Sequence, residues 1–185
     1  MELDNCIKGR RSVRAYKDEP IPQEKIENVL EAGTWAATGM SKQPWRFIII
    51  ENKDQIRSVS EETKKAIQEL IPAIAKRFET EEDIICYNAP ALILICTEND
   101  QNFNNIYLRD SVLAAQNMFL KAYELGLGTC YMGWIDAAIS HRPEILEKMG
   151  VPKGYTVQVP LIIGYPKSTT GPGKRNNPNI LNWTK

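Results

Sequence analysis

Five consecutive residues near the start of the chain, Arg10-Arg11-Ser12-Val13-Arg14, gather three permanent positive charges and one hydroxyl. Guanidinium groups are planar donor forks and the serine adds a neutral donor, a combination that suits a phosphate monoester. Taken alone, the same residues also make an ordinary solvated basic face. A second polar segment runs Ala36-Ala37-Thr38-Gly39-Met40-Ser41-Lys42-Gln43-Pro44-Trp45-Arg46-Phe47. Gly39 lets the backbone approach a ligand, and Thr38, Ser41 and Gln43 present hydrogen bonds. The plain alternative is a helix-to-strand loop that happens to be polar. The third segment is Leu125-Gly126-Leu127-Gly128-Thr129-Cys130-Tyr131-Met132-Gly133-Trp134. Its early glycines end a helix and turn the chain, while Gly133 would admit a flat ring system against the main chain. The fourth, Gly164-Tyr165-Pro166 followed by Gly171-Pro172-Gly173-Lys174-Arg175, either adds phosphate-binding charge or is a flexible basic tail.

Other chemistries are excluded by the same residues. A phosphate loop of the form G-x-x-x-x-G-K-S/T would need glycine at Ser168 and a hydroxyl at Arg175. A dinucleotide fingerprint opens a helix, whereas Gly126 and Gly128 close one and Tyr131 stands where a glycine is required. The four cysteines, Cys6, Cys86, Cys96 and Cys130, form no C-x-x-C pair and read as small buried residues in a reducing cytoplasm. The single histidine, His141, builds no metal site alone, and with Arg142-Pro143 it reads as the start of a short helix. Lys+Arg and Asp+Glu both number 23 in the 185 residues, so no general attraction to nucleic acid or a membrane surface is expected. Met1 leads into polar sequence and no apolar run spans a bilayer, so neither a signal peptide nor a membrane helix is expected.

The elements that must position these segments follow from periodicity. A short helix is predicted from Leu3 to Lys8, ending at Gly9. An amphipathic helix starts at Ile21-Pro22-Gln23-Glu24 and turns Ile26, Val29, Leu30, Gly33 and Ala37 inward. Phe47–Ile50 and Ala91–Cys96 are continuous apolar runs, read as strands buried on both faces. A charged helix from about Asp54 buries Ile56, Val59, Ile67 and Leu70 and is broken by Pro72. A long helix from about Ile106 to Leu125 carries Leu108, Val112, Ala115, Phe119 and Ala122 on one stripe, widened by Leu113 and Met118. So broad an apolar surface predicts a central place in the core. Thr129–Trp134 and Val157–Gly164 complete the strands, and residues 165–185 read as an extended arm. Without a repeat or linker, the chain is expected to be one α+β domain.

In this order, R-R-S-x-R, Q-P-W-R-F, G-L-G-T-C-x-x-G and a G-Y-P tail with basic residues resemble the nitroreductase family, over roughly residues 3 to 177. The resemblance implies a central mixed or antiparallel sheet flanked by helices, in an intertwined homodimer with FMN between the subunits. It implies that Arg10, Arg11, Ser12 and Arg14 bind the phosphate and ribityl chain, with Lys174 and Arg175 closing on the phosphate. Ala37, Thr38, Gly39, Ser41 and Gln43 would reach the flavin from the partner subunit. Tyr131, Met132 and Gly133 would lie along the ring, with a backbone N–H near Met132 facing N5. No side chain is expected to be catalytic and no metal is expected. The activity implied is ping-pong hydride transfer from NADH or NADPH to a small-molecule acceptor, such as a nitroaromatic or a quinone. Reductive dehalogenation, flavin breakdown and a non-catalytic flavin-binding role stay open. Ala37-Thr38 and Ser41 depart from the Pro-Ser and Asn common in the family, which bears on substrate choice and redox tuning. The modest length of the chain implies that no long lid covers the substrate.

Overall fold

Two uninterrupted apolar runs form neighbouring strands of one sheet. In the computed structural model, which describes residues 1–168, 171 and 173–184, these runs are β1 (Arg46–Ile50) and β2 (Ala91–Glu98). Their β-branched side chains suit a pleated surface; β2 is buried on both faces as expected, whereas β1, at the sheet edge, fully buries only Ile50 and leaves Ile49 37% exposed. With β4 (Tyr155–Gly164) and β3 (Gly128–Tyr131) they form a four-stranded sheet among the described residues, in the order β1-β2-β4-β3. Every pairing is antiparallel, which resolves the expectation of a mixed or antiparallel sheet.

Helices cover both faces. On one side α2 (Gln23–Thr34) and α4 (Asn104–Glu124) pack Ile26, Val29, Ala114, Ala115 and Met118 against Ile93, Ile95, Val159, Leu161 and Ile163. On the other, α3 (Lys53–Leu70), α5 (Gly133–His141) and α6 (Ile145–Lys148) close over Leu92, Leu94, Cys130 and Ile162. The short α1 (Leu3–Gly9) leans on α4, where the Tyr123 hydroxyl lies close over Gly9 and would have to shift for any Cβ there. No helix among the described residues is long and apolar enough to cross a membrane.

Four local expectations are corrected. Strand β3 stops at Tyr131, and Gly133-Trp134 open α5; His141 therefore ends a helix instead of starting one. Leu70 is 42% exposed because α3 ends there, and Ala37 lies beyond the end of α2. On α4 the buried stripe is Tyr107, Asp110, Ser111, Ala114, Ala115, Met118 and Ala122. Leu108, Val112 and Leu113 instead face outward, 41%, 51% and 49% exposed, so one side of this helix is apolar and open. Finally, residues 165–167 are not part of an arm: Lys17 N–H donates to the Tyr165 carbonyl and Lys167 N–H to that of Ala15, making a small ribbon. Beyond it, residues 171 and 173–184 are exposed and lack regular structure. Thr169, Thr170, Pro172 and Lys185 of the predicted arm lie outside the described residues.

Candidate functional site

The basic segment is held against the sheet by backbone bonds. Ser12 bridges to Thr129 at the open edge of β3, and Val13 N–H donates to the Thr129 carbonyl at 3.0 Å. Gly128 permits this approach, since a Cβ there would sit 2.5 Å from Val13 Cγ2. Tyr16, buried, donates its hydroxyl to the Val13 carbonyl and locks the far end. Parts of three segments singled out in sequence, at Ser12-Val13, Gly128-Thr129 and Gly164-Tyr165-Pro166, thus meet at one sheet edge.

Their charges meet as well. Arg11 spans from α1 to the tail: its guanidinium donates to the carbonyls of Lys8, Arg10 and Gly171. Arg175 Nη1 and Arg11 Nε both lie beside Gly173. Burial, then the charges of Arg11 and Arg175, lower the pKa of Arg10 from its ordinary value. Because guanidinium stays protonated in proteins, that lowering expresses first the cost of burying the charge and then the repulsion of Arg11 and Arg175. Arg10 also stacks over the Phe119 ring at 5.8 Å. Among the described residues, none of Arg10, Arg11, Arg14, Lys174 and Arg175 pairs with a carboxylate. A cavity of about 240 Å³ opens beside Arg10 and Arg11, walled by Val13, Tyr123, Gly128 and Thr129. Of the cations in this group, Arg10 and Arg11 line the cavity, and neither has a carboxylate partner among the described residues.

Two expected members stand apart from this group. Side chains alternate across the ribbon, so Val13, Pro166 and Ser168 line the small cavity, while Arg14, Tyr16 and Lys167 line a separate polar cleft of about 910 Å³. Arg14 is therefore on the other face, although its charge still reaches Cys130 between the two. Lys174 contributes its carbonyl, which accepts from Arg175 at 2.8 Å, and its ammonium is exposed. The Cys130 thiol donates to the Tyr131 carbonyl at 3.4 Å, and burial pushes its pKa up against the opposing pull of Arg14, Ser12 and Arg10.

At the end of β3, Met132 donates its N–H to the Pro160 carbonyl at 2.9 Å, so the donor expected at Met132 is already used. The first N–H groups of α5, those of Gly133 and Trp134, are the ones an α-helix leaves without internal acceptors. Gly133 is exposed, and a Cβ there would meet only the Tyr131 ring, at 3.5 Å. Tyr131 is fixed by donating to Asp136 at 2.8 Å; burial, then Asp136, raises its pKa. The result is a flat, donor-bearing ledge at the positive end of a helix.

The loop of Ala37, Thr38, Gly39, Ser41 and Gln43 is built differently. Met40, Ser41 and Gln43 all adopt positive φ (53°, 52° and 45°) without being glycine. Such residues cost about 1–3 kcal/mol each and persist only where surroundings enforce them. Pro44 and Trp45 anchor one end, both buried. At the other, Gly39 N–H donates to both carboxylate oxygens of Asp110 at 3.2 Å, and Gly39 sits so close to α4 that a Cβ would lie 2.9 Å from Ile106 Cγ2. Ala37, Met40, Ser41 and Gln43 are exposed.

This loop does not join the arginines of its own chain. It docks on α4 at Ile106 and Asp110, whereas Arg10 docks at Phe119. Nine residues of helix separate Asp110 from Phe119, about 14 Å of rise and about half a turn of net rotation. The two groups therefore lie on opposite faces of α4. Asp110 was missed in the sequence; its signal is an acid on a stripe otherwise made of Tyr107, Ser111, Ala114, Ala115 and Met118. The Tyr131–Asp136 pair left no such signal, because β3 was expected to continue through both glycine and tryptophan.

Comparison with known proteins agrees with this geometry. Residues 7–165 match the model of the nitroreductase family. A nitroreductase with bound FMN from Bacteroides fragilis NCTC 9343 has a TM-score of 0.82 at 29% identity, covering 100% of this chain and 98% of its own. An iodotyrosine deiodinase from Thermotoga neapolitana is 30% identical over 177 residues, 89% of this chain and 88% of its own. A protein provisionally named NADH dehydrogenase/NAD(P)H nitroreductase, from Methanothermobacter thermautotrophicus, is 25% identical over 187 residues, 100% of this chain and 88% of its own.

Proposed function

Because this chain belongs to the nitroreductase family, we propose that it is an FMN-dependent oxidoreductase that takes electrons from NADH or NADPH and reduces a nitroaromatic or quinone-type acceptor. The observation that carries this reading is the placement of Arg10 and Arg11 at a small cavity, with the charge of Arg175 acting on Arg10 and no carboxylate paired with any of the three. One phosphate monoester fits that set. Bound FMN supplies hydride exchange, accepting from a nicotinamide and giving to an acceptor, so the protein's part is to bind and tune.

The residues divide that work. Arg10, Arg11 and Arg175 hold the phosphate through charge-assisted bonds, and Ser12 faces the ribityl chain. The ledge from Tyr131 to Gly133 takes the ring, and the N–H groups of Gly133 and Trp134 favour negative charge that develops along it. Ala37, Thr38, Gly39, Ser41 and Gln43 serve the flavin of a second subunit, since their own arginines lie across α4. A homodimer also covers the open apolar side formed by Leu108, Val112 and Leu113. Four buried free cysteines suit work in a reducing cytoplasm.

A second reading, reductive dehalogenation, is favoured by the 30% identity to the Thermotoga deiodinase. Anaerobic titration separates the two. The purified protein is expected to be yellow and to bleach with NADH or NADPH, then to recover its colour with a nitroaromatic or a quinone. Recovery with iodotyrosine and with neither of those would establish the second reading. A protein that binds no FMN after reconstitution would overturn both.

A further inference from the structure

Asp110 is a carboxylate 5% exposed in the middle of a helix, and among the described residues its only partner is one N–H. Burying a charge so sparsely satisfied is costly unless it fixes something. What it fixes is the start of a loop in which Met40, Ser41 and Gln43 hold left-handed conformations. Gly39 is pinned from two sides, by Asp110 through its N–H and by Ile106 through the lack of a Cβ. The loop so held displays Ala37, Ser41 and Gln43 outward.

We infer that Asp110 is a positioning residue that fixes the loop 37–43 in the shape required by a flavin bound to the other subunit. This rests on the shared-site reading above, and the two fail differently. Asp110 touches no cofactor; it acts through Gly39, setting where Thr38, Ser41 and the intervening N–H groups point.

The test is FMN affinity, measured by equilibrium dialysis on full-length dimers. D110A removes the tether, so the affinity is expected to fall roughly tenfold or more, as for loss of a hydrogen bond to a charged group. D110N keeps an acceptor for Gly39 N–H and should stay within about threefold of the parent. G39A pushes a Cβ into Ile106 and should weaken binding as D110A does, while the G39A/I106A double variant should recover. Rescue of this kind is not expected if Asp110 merely stabilises α4. Mixed dimers then locate the effect. One subunit carries D110A and its partner carries R10A and R175A together. With a shared site, one flavin position in that dimer is fully intact, so half of the sites regain parental affinity.

D110A binding FMN as tightly as the parent would overturn the inference. Weak binding by D110A without recovery in mixed dimers would instead overturn the sharing, and would confine the effect of Asp110 to its own chain.

Discussion

The arginine group and the loop 37–43 are two solutions to the same problem of presenting polar groups to a ligand. The first rests on the sheet: Ser12, Val13, Tyr16 and residues 165–167 are all tied by backbone bonds, and the geometry is that of ordinary strands. Its strain is electrostatic, three guanidinium groups brought together without a countercharge. The second has almost no backbone ladder, and its strain is conformational, in Met40, Ser41 and Gln43. The first faces a cavity of its own chain, the second faces outward. A ligand relieves the first kind of strain directly by supplying charge. It cannot relieve the second, which must be enforced by packing on Asp110, Ile106, Pro44 and Trp45.

The largest effect should come from breaking the support of the first region. Gly128→Val places a side chain where Val13 already lies, so overpacking should cost about 1–3 kcal/mol of stability and detach residues 12–14 from β3. FMN binding should be abolished in protein that is still folded by circular dichroism. Retained binding would mean that the ribbon does not position the arginines. Next in size, Arg10→Ala and Arg175→Ala should each weaken FMN by about 1.5–3 kcal/mol, measured by fluorescence titration. Full affinity in both variants would move the phosphate elsewhere.

The loop should answer in the opposite sense. Met40→Gly relieves a left-handed residue and should raise the thermal unfolding free energy by up to about 1 kcal/mol, while FMN binds more weakly because the loop loses its enforced shape. Loss of both stability and affinity together would argue that the positive φ is unstrained. The smallest effect is expected at Cys130. Burial pushes its thiol up, and the chemistry asks nothing of it. Cys130→Ser should leave turnover with NADH or NADPH unchanged, and a dead variant that still holds FMN would contradict the assignment.

The first region was far more legible in the sequence than the second. Apolar runs pointed to β1, β2 and β4, and the basic and glycine-rich segments stood out by composition, although only the fold shows Ser12, Val13, Thr129 and residues 165–167 meeting at one edge. Charge is visible in a sequence, and so is a continuous apolar strand. What periodicity could not settle was which side of α4 is buried, because Leu108, Val112 and Leu113 carry the same signal whether they face a core or a second subunit. Nor could it show that Gly133 begins a helix, since Thr129 to Trp134 suit a strand and the chain turns only where the Met132 carbonyl accepts from Ile135 and Asp136. The side of the ribbon taken by Arg14 was hidden for a similar reason: alternation is regular, but its phase depends on where the bridge to Thr129 starts. Asp110 and the strained loop depend on contacts between distant residues, which no local pattern reports.

The central claim is that one flavin site needs both regions, each from a different chain. Sedimentation velocity of apo and FMN-loaded protein across a dilution series tests it most directly, with flavin absorbance followed alongside protein absorbance. The account predicts that FMN sediments only with the dimer and that its presence shifts dissociation to lower protein concentration, because a ligand of the assembled state stabilises that state. A monomer that carries one FMN with undiminished affinity would contradict it.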